Sequence, residues 1–199
     1  MNAVQVLVNN IPQQKYAKTR KTENGQKRAD RHILSRYIWG FCTSPKREAP
    51  GPIAGKCYRI TWAGHWEFEN LPLVHVHHTN ANGTRLLARV LVGKVLNTTA
   101  LEAILSGSTI RQHVGWNYRE WMADAMRRLR ADAQAVLPDS EREQAQAVTS
   151  LVPADWPHIR SVSRQYVRSR IAHGRYKPPF SANEPIPTYC MSEYRVLIP

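Results

Sequence analysis

The sequence predicts an α+β fold, a small antiparallel sheet packed against helices, and three observations carry the prediction. Short runs rich in branched and aromatic residues occupy roughly residues 32–95, separated by Pro/Gly and Asn/Gly turns. Beyond residue 98 the apolar residues change to helical spacing. Apolar residues make up 42% of the 199-residue chain, enough for one core and too many for a wholly disordered chain.

The elements follow in order. Residues 1–30 read as a basic, flexible tail whose one apolar run, Val4 to Val8, is short, and residues 31–199 as a single domain. "RYIWGFCT" (36–43) and "CYRITW" (57–62) are strands divided by the loop "SPKREAPGPIAGK". "AGHW" (63–66) is a turn that closes a hairpin onto "EFE". "PLVHVHHT" (72–79) alternates as a strand and "NANG" (80–83) turns the chain, since Asn and Gly tolerate positive φ. "RLLARVLVGKV" (85–95), full of branched aliphatics, is expected as a central strand.

Helices dominate the second half. "TTALEAILSG" is a short helix capped by Thr98 or Thr99 and ended by Gly107. "NYREWMADAMRRLRADAQAVL" sets Trp121, Ala125, Met126 and Leu129 on one face until Pro138 stops it. "SEREQAQAVTSLV" reads as a further short helix. In "ADWPHIRSVSRQYVRSRIAHGR" a stripe of Ile159, Val162, Tyr166, Val167 and Ile171 runs to Gly174. From about residue 177 a proline-rich segment is expected to lie extended over the domain.

The formal charge of +13 suits acidic partners: nucleic acid, anionic lipid, or a small molecule bearing carboxylate or phosphate. Much of it lies between Lys15 and Arg47, so an acidic partner for the tail is one reading and a solvated tail the other. Cys42, Cys57 and Cys190 form no CxxC pair and are too scattered for a disulfide framework or zinc site. No run approaches the roughly 20 apolar residues of a membrane span, and the start lacks the order of a secretory signal. The chain reads as soluble and cytoplasmic.

Several constellations carry chemistry. His75 and His77 share one strand face, with His78 opposite and His65 a loop away; two imidazoles lack the third ligand a metal needs, so no metal is assigned. Trp39, Trp62, Trp66 and Trp116 serve either the core or the walls of a ligand cleft. Phosphate loops of the GxxxxGK[ST] and GxGxxG types are absent, so no cofactor is called for. Nucleic acid fits the charge, but no RNP-like run, KH-type GxxG or zinc knuckle supports it. "GWNYREWMADAM" (115–126) opens a helix with Asn117, Tyr118 and Arg119 at its mouth.

Six motifs in order resemble a family of small fungal proteins of unknown function. They are "YIWGFCTSPK" (37–46), "YRITW…HWEFE" (58–69), "LLARVLVGKV" (86–95), "WNYREWMADAM" (116–126), "DWPHIRSVSRQYVRSRIAHGRY" (155–176) and "PTYC" (187–190). That family's layout, histidine on an early strand and cysteine at a later helix start, is similar to permuted papain-like thiol hydrolases and acyltransferases. The resemblance implies a thiolate activated by a helix N-terminus and an imidazole. Here the two histidine positions hold Ile38 and Arg59, the cysteine position holds Tyr118, and the final aspartate position holds Cys190. Isoleucine moves no proton, and a phenol with a pKa near 10 does not replace a thiolate.

Two functions are therefore expected. One is a small-molecule site that has lost its thiol dyad, suited to cofactor-free cyclisation, isomerisation or dehydration of an apolar or anionic molecule. Tyr118, Arg59, His65 and His75 would do the chemistry, and Trp39, Trp62, Trp66, Trp116, Asn117 and Arg119 would hold the substrate. The other is a non-catalytic module for an acidic protein or nucleic acid.

Overall fold

A computed structural model describes residues 2–10, 37–45, 55–73, 85–135, 138–176 and 185–199. Among these the strands are β1 (Asn2–Asn10), β2 (Tyr37–Pro45), β3 (Lys56–Trp62), β4 (Trp66–Pro72), β5 (Arg85–Val95), β6 (Val148–Thr149), β7 (Thr188–Cys190) and β8 (Arg195–Ile198). The helices are α1 (Thr98–Ser106), α2 (Tyr118–Ala133), α3 (Asp139–Ala145) and α4 (Trp156–Ala172). The strands form one sheet in the order β4-β3-β2-β1-β5-β7-β8, with β6 beside β5. Every pairing is antiparallel except that of β5 with β7. The α+β class holds.

The main core lies between one sheet face and the helices. Alternation turns Val4 and Val6 of β1, Trp39 and Phe41 of β2, and Tyr58 and Ile60 of β3 to that face. Leu101 and Leu105 of α1, Trp121, Met122, Ala125, Met126 and Leu129 of α2, and Ile159, Tyr166 and Val167 of α4 close over them. Each fully buried aliphatic or aromatic side chain contributes about 1.5–3 kcal/mol. The aromatic residues interlock, Trp39 edge-on to Trp156 at 5.3 Å and Phe41 edge-on to Trp121 at 5.6 Å.

The opposite face carries a second buried cluster of Cys42, Cys57, Leu73, Leu86 and Ile186. Cys42 and Cys57 stand directly across from one another on β2 and β3. The Cys42 thiol donates to Gln5 Oε1 at 3.3 Å, and Arg89 Nη2 donates to Thr188 Oγ1 at 3.1 Å. Burial pushes the Cys57 thiol up to about 12 and raises Cys42 as well. Gly55, at φ +142, brings β3 in against Thr43, where any Cβ would lie 1.8 Å from the Thr43 carbonyl oxygen.

Several expectations are corrected. The beginning of the chain is not a tail: Asn2–Asn10 pairs with β2 on one side and β5 on the other, in the middle of the sheet. Its apolar run is short, but two partner strands satisfy both its edges, which no local pattern reveals. The rest of the expected tail lies outside the described residues. The cap of α1 is Asn97, whose side chain accepts from Thr99 N and Ala100 N, in place of Thr98 or Thr99. The helix expected over 140–152 stops at Ala145, because Asp132 of α2 accepts from Ala147 N and Val148 N and holds the chain as β6. The C-terminal segment pairs into the sheet as β7 and β8. β4 runs to Pro72 and Leu73 follows as a turn; the rest of the strand expected over 72–79 lies outside the described residues, with His75, His77 and His78. Among the described residues, no helix is long and apolar enough to cross a membrane.

Two outcomes follow. Deleting residues 1–10 should abolish the cooperative thermal transition followed by circular dichroism; retention of a native-like transition would contradict a central β1. With its pKa near 12, Cys57 holds about one thiolate in ten thousand at pH 8. Alkylation of Cys42 and Cys57 by iodoacetamide should therefore be at least about a hundredfold slower in the folded protein than in guanidinium.

Candidate functional site

The mouth of α2 is set by three local devices. Gly115 takes φ +93, which turns the chain into buried Trp116 and then Asn117 in extended conformation. Asn117 caps the helix, its Oδ1 accepting from Arg119 N at 3.0 Å. Upstream, the Gln112 side-chain amide accepts from Trp66 N and donates to Trp66 O, both at 2.7 Å, as one more strand residue would. Thr109 N donates to Asp124 Oδ2 at 2.9 Å, tying the same loop to the middle of α2.

Tyr118 is the first residue of α2, half-buried and packed against the main core. The Arg119 guanidinium carbon lies 5.8 Å from the Tyr118 ring centre. On α4, Arg160 and Arg164 lie one turn apart, and Arg160 feels the charge of Arg119 and the Tyr118 phenol on α2. Burial lowers the pKa of Arg160, and the charges of Arg119 and Arg164 lower it further, while Tyr118 acts in the opposite direction. Nε of Arg119 and of Arg160 is shielded from solvent without a hydrogen-bond partner. Among the described residues neither guanidinium has a carboxylate partner, and the Tyr118 hydroxyl makes no hydrogen bond. Converging cations, a phenol and the positive end of a helix favour an anion.

The other sequence-predicted residues do not join this group. Arg59 projects from the far face of the sheet, like Cys57 two residues before it, and its Nε meets Glu69 Oε2 at 2.5 Å. Ile38 alternates with core-facing Trp39, so Ile38 and Arg59 are both separated by the sheet from Tyr118. His65 sits at the exposed β3–β4 hairpin end, Nε2 3.7 Å from Glu67 Oε2. Trp39 is buried against Trp156 and walls no cleft with the rest. Trp62, Trp66 and Trp116 do form a row, with edge-on contacts at 5.2 and 5.6 Å, in which Trp62 is 60% exposed and Trp116 only 4%. His75 lies outside the described residues.

Arg160 and Arg164 were missed by sequence reasoning. Their signal was present: Arg160, Arg164 and Arg168 recur every fourth residue, and no Asp or Glu occurs between Trp156 and Tyr176. What the pattern omits is the partner helix that brings Arg119 alongside.

Fold and site together define an α+β protein with a cationic helix mouth. Residues 16–198 match a family of unknown function, DUF6914, and the chain belongs to that family. Neither a curated protein nor a solved structure matches it.

Asp124 supplies the test of how the mouth is held. Partial burial raises its pKa, but hydrogen bonds from Thr109 N, Arg127 and Arg128 together outweigh that and hold the carboxyl at about 2. A carboxyl depressed from an unfolded value near 4 stabilises fully above about pH 4, and the contribution disappears as pH falls towards 2. Asp124→Asn should cost roughly 1–2 kcal/mol at pH 7 and almost nothing at pH 2, read from urea unfolding at both pH values. An equal cost at both would remove the carboxylate from this role.

Proposed function

We propose that this protein binds a small molecule carrying an acidic group, and that the group sits at the mouth of α2. The observation that carries the reading is the convergence of Arg119 and Arg160 beside Tyr118, with no carboxylate partner for either among the described residues. Like charges held together raise each other's energy, and a bound anion reverses that cost. Tyr118 then serves as a hydrogen-bond donor to the ligand and has no need of thiolate character.

Binding is favoured over the cyclase, isomerase or dehydratase alternative for a geometric reason. Such chemistry needs an acid or base beside Tyr118, and among the described residues the side chains of Arg59 and His65 project elsewhere. Papain-like ancestry and a fungal biosynthetic setting belong to the same proposal and rest on motif order alone.

Native mass spectrometry of protein purified from its own host tests the reading. Wild type should carry an acidic molecule of a few hundred daltons. Arg119→Gln/Arg160→Gln should lose it while keeping the wild-type far-ultraviolet circular dichroism, and Tyr118→Phe should weaken it about tenfold. A folded double variant that still carries the molecule would place the ligand elsewhere.

A further inference from the structure

We infer that Cys42 and Cys57 form a dithiol site that closes to a cross-strand disulfide by exchange with a small disulfide such as oxidised glutathione. The site lies on the sheet face away from the helical core and does not depend on the anion reading.

Register is the first argument. The three cysteines are scattered along the sequence, yet the sheet sets them on one line. Cys57 pairs with Cys42, Cys42 with Gln5, Gln5 with Leu91, and Leu91 with Cys190. Directly opposed residues of an antiparallel pair have Cα atoms about 4.5–5.5 Å apart, within the roughly 4.4–6.8 Å that a disulfide spans. Cys42 and Cys57 are also buried in the same cluster, so pairing and strand parity both bring the thiols together. Cys190 stands three strands from Cys42, about 14 Å at the usual strand spacing, and is out of reach.

Environment is the second. All three cysteines are free thiols. Leu73, Leu86 and Ile186 surround the pair, and the Cys42 thiol donates to Gln5 Oε1 at 3.3 Å. Closing the S–S bond gives up that one weak hydrogen bond and leaves an apolar link among apolar neighbours.

Access is the third. The described ladder between β2 and β3 runs only from Phe41–Tyr58 to Thr43–Lys56, with the cysteines at its centre. By contrast, β3 pairs with β4 along all of Lys56–Trp62, so these two strands are a hairpin joined to the sheet by a short ladder. Local opening of that ladder exposes the dithiol. Burial raises the pKa of both thiols, so the attacking thiolate forms in the opened state. It attacks one sulfur of oxidised glutathione, expels a glutathione thiolate and leaves a mixed disulfide. The other cysteine then attacks the protein sulfur and expels the second glutathione. Two protein thiols thus lose two protons and two electrons, and two glutathione thiols gain them. The product closes a loop of about 15 residues and staples the hairpin to β2.

The test uses the full chain with oxidised and reduced glutathione, both folded and refolded from guanidinium, followed by acid quench and tryptic mass spectrometry. Refolding removes access as a barrier, and the folded chain tests the opening. Both should give one cross-link, Cys42 to Cys57, with Cys190 reduced. The oxidised chain should melt about 5–10 °C above the reduced one. The pair should also oxidise about a hundredfold more readily in the folded state than in guanidinium, because a disulfide that favours folding is favoured by folding to the same degree. Cys190→Ser should keep the oxidant-dependent rise; the wild-type pairing map decides the case if that variant does not fold. Free thiols at 42 and 57 in either condition, a lasting glutathione adduct, or a cross-link to Cys190 would overturn the site. So would a Cys42–Cys57 cross-link that lowers the melting temperature, since the native register would then not accommodate it.

Discussion

Everything in this fold depends on the antiparallel pairing of β1 with both β2 and β5. To one side lie β2, β3 and β4, and to the other β5, β7 and β8, so among the described strands β1 is the one that joins the two halves. Val4 and Val6 are fully buried, and helices from the second half of the chain close over them. A strand in that position satisfies its N–H and C=O groups on both edges only if both halves are present. The two halves of the sheet therefore become one core through the start of the chain.

The sheet then acts as a partition. Side chains alternate with a period of two, so neighbours in sequence belong to different environments. Tyr58 and Ile60 enter the helical core, whereas Cys57 and Arg59 enter the other face, where Arg59 is matched by Glu69. Motif order sets Arg59 and Tyr118 together as replacements for a catalytic pair, but strand parity separates them. Tyr118 acquires different company, and its partners are arginines from its own helix and from α4.

That company is rigidly supported. Asn117 caps α2, Asp124 holds the preceding loop and two arginines of the same helix, and Gln112 fastens the loop to the edge of β4. Asp132, two turns further along α2, draws β6 onto the sheet. The acidic side chains of α2 at Asp124 and Asp132 are thus engaged in holding the chain. The guanidiniums of Arg119 and Arg160 keep no carboxylate partner among the described residues, and the proposed anion site rests on this imbalance.

Much of this was legible in the sequence. The hairpin of β3 and β4, the long aliphatic β5, the apolar face of α2 and the stripe of α4 are local patterns that formed where their periodicity placed them, except that Ile171 at the end of the stripe is exposed and α2 ends at Ala133, before Pro138. The six ordered motifs also pointed to an uncharacterised family. The strand nature of residues 2–10 was not legible, because a short apolar run becomes a strand only when neighbours far along the chain complete its hydrogen bonds. Nor was the arginine cluster, since Arg119 and Arg160 are brought together by the packing of two helices. By itself the sequence determined the fold class, most of the elements and the surplus of positive charge. Only the tertiary structure decided which charges meet, because that depends on strand parity and helix packing, and both are relations between distant segments.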